Sequence, residues 1–402
     1  MIYMKYLFVG LFFLVCLKSY SDSWTQKASF PGVAREATAS FSIGSKGYVG
    51  TGLDFNGLIT DDFWEYNPSL NLWTQKANFP GAARYGSTGF SVGSYGYFAG
   101  GRSAIGTDYN DLWQYDPSSD VWIQKSSFGT DSVSFATGFS INGKGYLTTG
   151  FLNGFFMRSQ DLWEYDPSTD SWTQKANFQG TGRGEACSFV IEGKGYVGTG
   201  TVSGFFPTND FWQYNPVTNV WLQKANLIGN SRSQAVGLEI MGKGYVICGS
   251  NQSAPWLKDV LEYNSSSNSW TNKNSFAGPA RHYAIGFTIG SFGYVGFGAD
   301  NNNILLNDLW EYNPDSVTGI SNIISDYDLE IYPNPIKDVL CISMSNSEFS
   351  EIILFDIFSN IVLHKSFSNS SIINTDHLTN GIYIYQVKNK KGVIKIGKIV
   401  KD

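Results

Sequence analysis

Short runs of alternating apolar and polar residues fill the chain from residue 22 to 314. "YGSTGFSVG" (85–93) alternates, "GKGYVGTG" (193–200) centres on Tyr-Val, and "DLWEYNP" (308–314) sets Trp and Tyr two apart. Residues two apart share one face of a strand, so these are strand patterns. They are bounded by turn residues. "IGSKG" (43–47) and "INGKG" (141–145) read as tight hairpins. In "NPSLN" (67–71) and "DPSTD" (166–170), Pro presets φ and Asn or Asp bonds back to the backbone. The pattern predicts a repeated unit of four strands. Strand a follows an Arg, b carries Gly-Tyr-Val, c carries Trp-x-Tyr, and d carries a second Trp.

The period is almost constant. Trp24, Trp73, Trp122, Trp172, Trp221 and Trp270 are separated by 49, 49, 50, 49 and 49 residues. A repeat near fifty with Gly and aromatic marks predicts propeller blades. Five Tyr–Trp pairs, from Tyr66–Trp73 to Tyr263–Trp270, lie seven residues apart. Tyr312 has no such Trp after it, and Trp24 has no such Tyr before it. The economical solution is a ring in which residues 23–28 supply strand d of the last unit, leaving no open edge. The expected fold class is all-β: a six-bladed propeller over 22–314, then a small Ig-like β-sandwich.

The marks resemble the kelch repeat. They are the Arg eleven residues after each Trp, the Gly pair ending strand b (Gly100-Gly101, loosened to Thr51-Gly52 or Thr199-Gly200), and the Tyr-x6-Trp spacing. The third unit departs with Val133 in place of Arg. The fifth has Leu261 for the strand-c Trp and Ser265 for the Pro.

After Pro314 the repeat stops. Residues 315–328 are small and polar, as in a linker, and 329–402 alternate again as a small sandwich. That segment resembles the C-terminal sorting domain of the Bacteroidetes type IX secretion system (Por-type, type A). The carrying marks are Tyr332-Pro333-Asn334-Pro335, "ILFDIFSN" with Asn360, "LTNGIYIYQV" around Gly381, and "KIVK". The resemblance implies that residues 329–402 are handled by secretion machinery. It also implies that the chain is exported through the outer membrane, then released or surface-anchored. Residues 1–21 fit a secretory signal peptide: Lys5, an apolar run from Tyr6 to Leu17, then Ser19 and Ser21 before Asp22. No transmembrane segment is expected in the mature chain, and a monomer is expected.

Composition narrows the chemistry. The chain is 16% aromatic and 15% charged, with a net charge of −6, which gives no basic footprint for nucleic acid. The mature cysteines, Cys187, Cys248 and Cys341, are odd in number and scattered, so they read as small hydrophobes rather than a disulfide framework. Of three His, only His282 lies in the repeat region, since His364 and His377 are in the tail. That excludes a multi-His metal site there, and the paired-His metal of galactose-oxidase-type kelch enzymes. No phosphate loop appears. No metal or cofactor is expected, and the sequence weighs against catalysis.

Candidate ligand residues sit where strands meet loops. Arg35, Arg84, Arg183, Arg232 and Arg281 would ring the channel mouth. They can pair with ligand carboxylates or, as repetition favours, brace the scaffold. The column of Asp62, Asp111, Asp161, Asp210, Asp259 and Asp308 reads as scaffold. The next position varies: Glu36, Tyr85, Ser134, Gly184, Ser233, His282. Ring closure would bring Glu36 and His282 together as an acid/base pair, suited to epimerase or mutarotase chemistry. The b–c loops add Tyr109, Phe155, Phe156, Phe205, Phe206 and Trp256; the two Phe pairs either form one apolar patch suited to a protein or glycan contact, or fold inward so that the rings cap the blades. The favoured function is a non-catalytic propeller binding a protein or glycan on this face. The alternatives are a sugar epimerase or mutarotase, or a purely structural surface module.

Overall fold

The structure, a computed structural model, describes residues 22–152, 154–252, 255–314, 329–344, 349–356, 360–389 and 392–402. The expected leader (1–21) and linker (315–328) lie outside these residues. The chain divides into two compact units, Met1–Thr318 and Gly319–Asp402.

Among its described residues the first unit contains six four-stranded antiparallel sheets. The first sheet runs Ala39–Ile43, Lys46–Gly50, Phe63–Asn67, Leu72–Lys76. The second to sixth begin at Thr88, Thr137, Cys187, Val236 and Ile285. Each innermost strand contacts its neighbours in turn, and the sixth contacts the first, so the array closes into a propeller-like ring. Five sheets are continuous in sequence. The sixth takes its outer strand from Ser23–Gln26, which pairs antiparallel with Leu309–Asn313 in the register Trp24 to Tyr312. The same Tyr-to-Trp register recurs at Tyr66–Trp73 and Tyr115–Trp122.

Strand b explains why the repeat needs Gly. A Cβ on Gly96 would lie 2.1 Å from Phe41, and one on Gly145 2.5 Å from Phe90. Such a Gly receives an inner-strand side chain of the preceding sheet, a Phe at most positions and Leu238 and Ile240 at Gly293, so the sheets close on one another at packing density. The aromatic core therefore lies between sheets. Phe41, Tyr48 and Phe63 of the first sheet pack with Phe98, Tyr115 and Trp122 of the second.

A polar joint repeats at the outer edge. Tyr115 donates its hydroxyl to Asp120, which also accepts the amide of Ala77. Tyr66 with Asn71 and Tyr214 with Asn219 do the same. At the closure Asp22 plays that part, accepting the Tyr312 hydroxyl at 2.8 Å and the Asn274 amide at 2.7 Å.

The second unit has a three-stranded sheet (Leu329–Tyr332, Val339–Met344, Ser370–Asn374) and a four-stranded one (Ile361–Phe367, Ser350–Phe355, Gly381–Asn389, Gly392–Lys401). Both contribute to one core of its own, including Leu340, Ile342, Ile352, Leu354 and Ile399. Cys187 and Cys248 are buried free thiols of the first unit. Burial pushes them up to about 11 and about 12. No helix among the described residues is long and apolar enough to cross a membrane.

Candidate functional site

The arginine column is committed internally. All five side chains are at most 2% exposed. Arg183 is typical. Its Nε donates to the Thr181 carbonyl at 2.9 Å, Nη1 to the Thr199 carbonyl at 2.9 Å, and the Nη pair grips Asp210 at 2.6 and 2.8 Å. Its guanidinium also lies 4.9 Å over Phe178. Arg84, Arg232 and Arg281 hold Asp111, Asp259 and Asp308 with the same fork, and Arg35 holds Asp62. A fork saturated by a carboxylate and backbone carbonyls leaves nothing for a ligand. The Asp column is thus the partner of the Arg column. The third sheet has Val133, buried at 5%, where the others have Arg.

The variable column holds a different population. Glu36 and His282 meet across the closure, with His282 Nε2 3.9 Å from Glu36 Oε2. Trp256 stacks on the imidazole at 4.6 Å, held by its Nε1 donating to the Asp300 carbonyl. Tyr85 stands against Phe135 at 5.8 Å. Tyr109 lies beneath Arg84, its ring centroid 4.0 Å from the guanidinium.

One residue further on is a column that the sequence reading did not single out: Ala37, Gly86, Phe135, Glu185, Gln234, Tyr283. All six have φ between 49° and 63°. A left-handed residue breaks strand alternation, so two consecutive positions face the mouth rather than one. Backbone bonds then link sheet to sheet, from the Gly86 amide to Ala37, Phe135 to Gly86, Glu185 to Phe135 and Gln234 to Glu185. Phe135 of the third sheet and Tyr283 of the sixth meet across the ring at 5.4 Å. Below them the channel is lined by small residues such as Ser40, Gly89, Gly138 and Ser188.

A continuous polar chain crosses this mouth. Gln234 Nε2 donates to Glu185 Oε1 at 3.0 Å, which orients the amide. Its Oε1 therefore accepts from His282 Nδ1 at 2.8 Å. The imidazole proton sits on Nδ1, and the Nε2 lone pair faces Glu36. Glu185 also accepts the hydroxyls of Tyr283 and of Thr201, the latter at 2.6 Å. Burial pushes the Glu36 carboxyl up to about 7 and the His282 imidazole down to about 4. Glu36 Oε2 is enclosed without a hydrogen-bond partner. Burial and Glu185 together raise the Tyr283 phenol.

Beside this chain lies a cavity of about 280 Å³ between the third, fourth and fifth sheets. Phe151, Phe155 and Phe205 line it together with Thr201, Ser233, Ser250 and Gln252. Glu185, Gln234 and Tyr283 complete it from the mouth. Of the two Phe pairs, Phe155 and Phe205 enter the cavity. Phe156 is 88% exposed and Phe206 63% exposed. Ser233 belongs to the variable column, whereas the missed residues Phe151, Thr201 and Ser250 sit at strand ends that pair across the inter-strand loops. Their only mark in the sequence was adjacency to the variable columns.

Residues 330–402 match the family described as secretion system C-terminal sorting domain. The protein is therefore exported through the outer membrane to the cell surface or extracellular space. No curated protein matches the sequence. Among solved structures the chain is similar to that of YjhT, with a TM-score of 0.62 and 15% identity. The likeness covers 70% of this chain and 95% of YjhT. It bears on the propeller-like fold alone.

Proposed function

We propose that the exported chain is a six-bladed kelch-type propeller (22–314) that binds a ligand at its channel mouth, a glycan in preference to a protein. Its Ig-like C-terminal domain, 329–402, serves export. The observation that carries the ligand reading is the cavity between the third, fourth and fifth sheets. It is lined by three Phe rings together with hydroxyl and amide groups. Concave sites with an apolar wall and a few convergent polar groups are the usual form of a small-molecule site. Flat protein interfaces are instead dominated by protruding anchors. The five arginines belong in this reading to the scaffold, with no contact to ligand. A glycan array probed with the exported protein tests the reading. Binding is expected, and Phe205→Ala should abolish it without altering the melting temperature. A blank array across broad panels would leave the structural-module alternative.

A second reading rests on the Glu36–His282 pair. Between about pH 4 and pH 7 Glu36 is protonated and His282 neutral, an acid beside a lone pair 3.9 Å away. That is the protonation state general acid–base chemistry at a sugar carbon requires. Anomer or epimer exchange, followed by NMR on a sugar panel and lost in Glu36→Gln, would establish it. Unchanged exchange rates in that variant would remove it.

A further inference from the structure

Resting on the glycan reading, we infer that the cavity between the third, fourth and fifth sheets takes a single neutral sugar ring, end-on, and discriminates against acidic sugars through Glu185. The size sets the first part. At about 280 Å³ the cavity lies at the small end of ligand sites, which suits one ring rather than a chain of them. On the axial side Glu185, Gln234 and Tyr283 bound the cavity, and Tyr283 meets Phe135 at 5.4 Å. A terminal sugar ring is the part of a longer ligand that this volume accommodates.

The chemistry of the walls sets the second part. A pyranose has a face of C–H groups and an edge of hydroxyls. Phe151, Phe155 and Phe205 match the face, and Ser250, Gln252 and Glu185 match the edge. The aromatic wall is braced. Phe151 and Phe155 meet edge to face at 4.8 Å, and Arg158 lies over Phe151 at 5.3 Å and over Phe205 at 5.1 Å. Glu185 is the one charged residue lining the cavity among the described residues. It already accepts from Tyr283, Gln234 and Thr201, which fixes its orientation. A carboxylate accepts hydrogen bonds from hydroxyls strongly and repels a second carboxylate brought within a few ångströms. Arg158 is the rival. Its Nε and Nη2 are enclosed behind the rings without a hydrogen-bond partner, so they do not reach the cavity as it stands.

The test is calorimetric titration of the exported protein with methyl glucoside, methyl galactoside and methyl mannoside, and with glucuronate and galacturonate. At least one neutral glycoside is expected to bind ten-fold or more tighter than either uronate. Glu185→Gln should collapse that ratio to near unity. Because this substitution touches three hydrogen bonds, Phe205→Ala serves as a second variant. Its ring is about half exposed, and its loss should weaken neutral binding ten-fold or more with an unchanged melting temperature. Uronates binding as tightly as the neutral glycosides, or more tightly, would overturn the inference while leaving the glycan reading in place. Loss of that uronate binding in Arg158→Met would then assign the anion contact. Silence from every sugar together with a blank glycan array would overturn both.

Discussion

At the scale of single residues, the mouth carries its chemistry in groups displaced from their usual protonation. Glu36 is 22% exposed and is raised from 4.5 to about 7 by burial. The folded state therefore holds its proton where the unfolded chain has lost it. Its support for the fold is complete below pH 4.5 and is lost as pH rises through 7. His282 works in the other direction. Lowered from 6.5 to about 4, its support is complete above pH 6.5 and is lost as pH falls through 4. Glu36→Gln cannot ionise, so it should be more stable than the parent at pH 8, by about 1–2 kcal/mol, against a ceiling near 3 kcal/mol from the size of the shift. At pH 4.5 the difference should vanish. Denaturant melts at the two pH values decide it, and a variant equally stable at both would remove the raised carboxyl. The arginines make the opposite case. Arg183→Met would strand Asp210 in the grip of buried neighbours and should cost about 3–5 kcal/mol, whereas also changing Asp210→Asn should recover part of that loss. Both columns were visible in the sequence, but their pairing was not. In a repeat every column keeps a fixed offset from every other, so the constant 27 residues between Arg183 and Asp210 and between Arg84 and Asp111 say nothing about contact. The left-handed column was hidden for a different reason. Strand alternation assigns only one of two successive residues to a face, and φ near +55° at Glu185 and Tyr283 breaks that rule.

At the scale of elements, the ring depends on one joint made between distant parts of the chain. The register of Trp24 with Tyr312 was legible because aromatic spacing survives in the sequence even when its two halves are separated. Less legible was Asp22, which occupies the place of Asn71 or Asp120 in the other sheets. It accepts the Tyr312 hydroxyl and the Asn274 amide, and Asn274 Nδ2 donates back to its carbonyl at 2.9 Å. The joint lacks one bond that its counterparts have. Trp73, Trp122 and Trp221 each donate Nε1 to a carbonyl of the adjoining sheet, while Trp24 Nε1 is enclosed without a partner. Asp22→Ala would leave the buried Tyr312 hydroxyl unpaired, so a loss of about 1–3 kcal/mol is expected by thermal melting. Deleting 22–30 removes the whole strand, with Phe30 and its contacts to Trp64 and Phe297, and should lower the stability of the entire first unit cooperatively. A truncated chain that melts like the parent would mean the ring is not closed by this strand.

At the scale of the whole molecule, the two units have separate cores, and the export signature lies in the second. The first unit buries its aromatics between sheets. The second has a core of its own, built around Leu340, Ile352 and Val387. A unit with a complete core needs no neighbour to fold. The segment matched over 330–402 is a sorting domain, whose role is transport. Removing 319–402 should therefore leave the melting temperature of the first unit unchanged while abolishing its passage across the outer membrane. Cell fractionation with immunodetection of the first unit separates the outcomes. The full chain should be found at the surface or in the medium, and the truncated chain inside the outer membrane. Fusing 319–402 to an unrelated folded reporter should carry that reporter out. A truncated chain that still reaches the surface would mean that export information resides in the propeller. A first unit that melts lower without the tail would mean that the two cores are energetically coupled. Because the readouts are independent, each result bears on one half of the division and leaves the other standing.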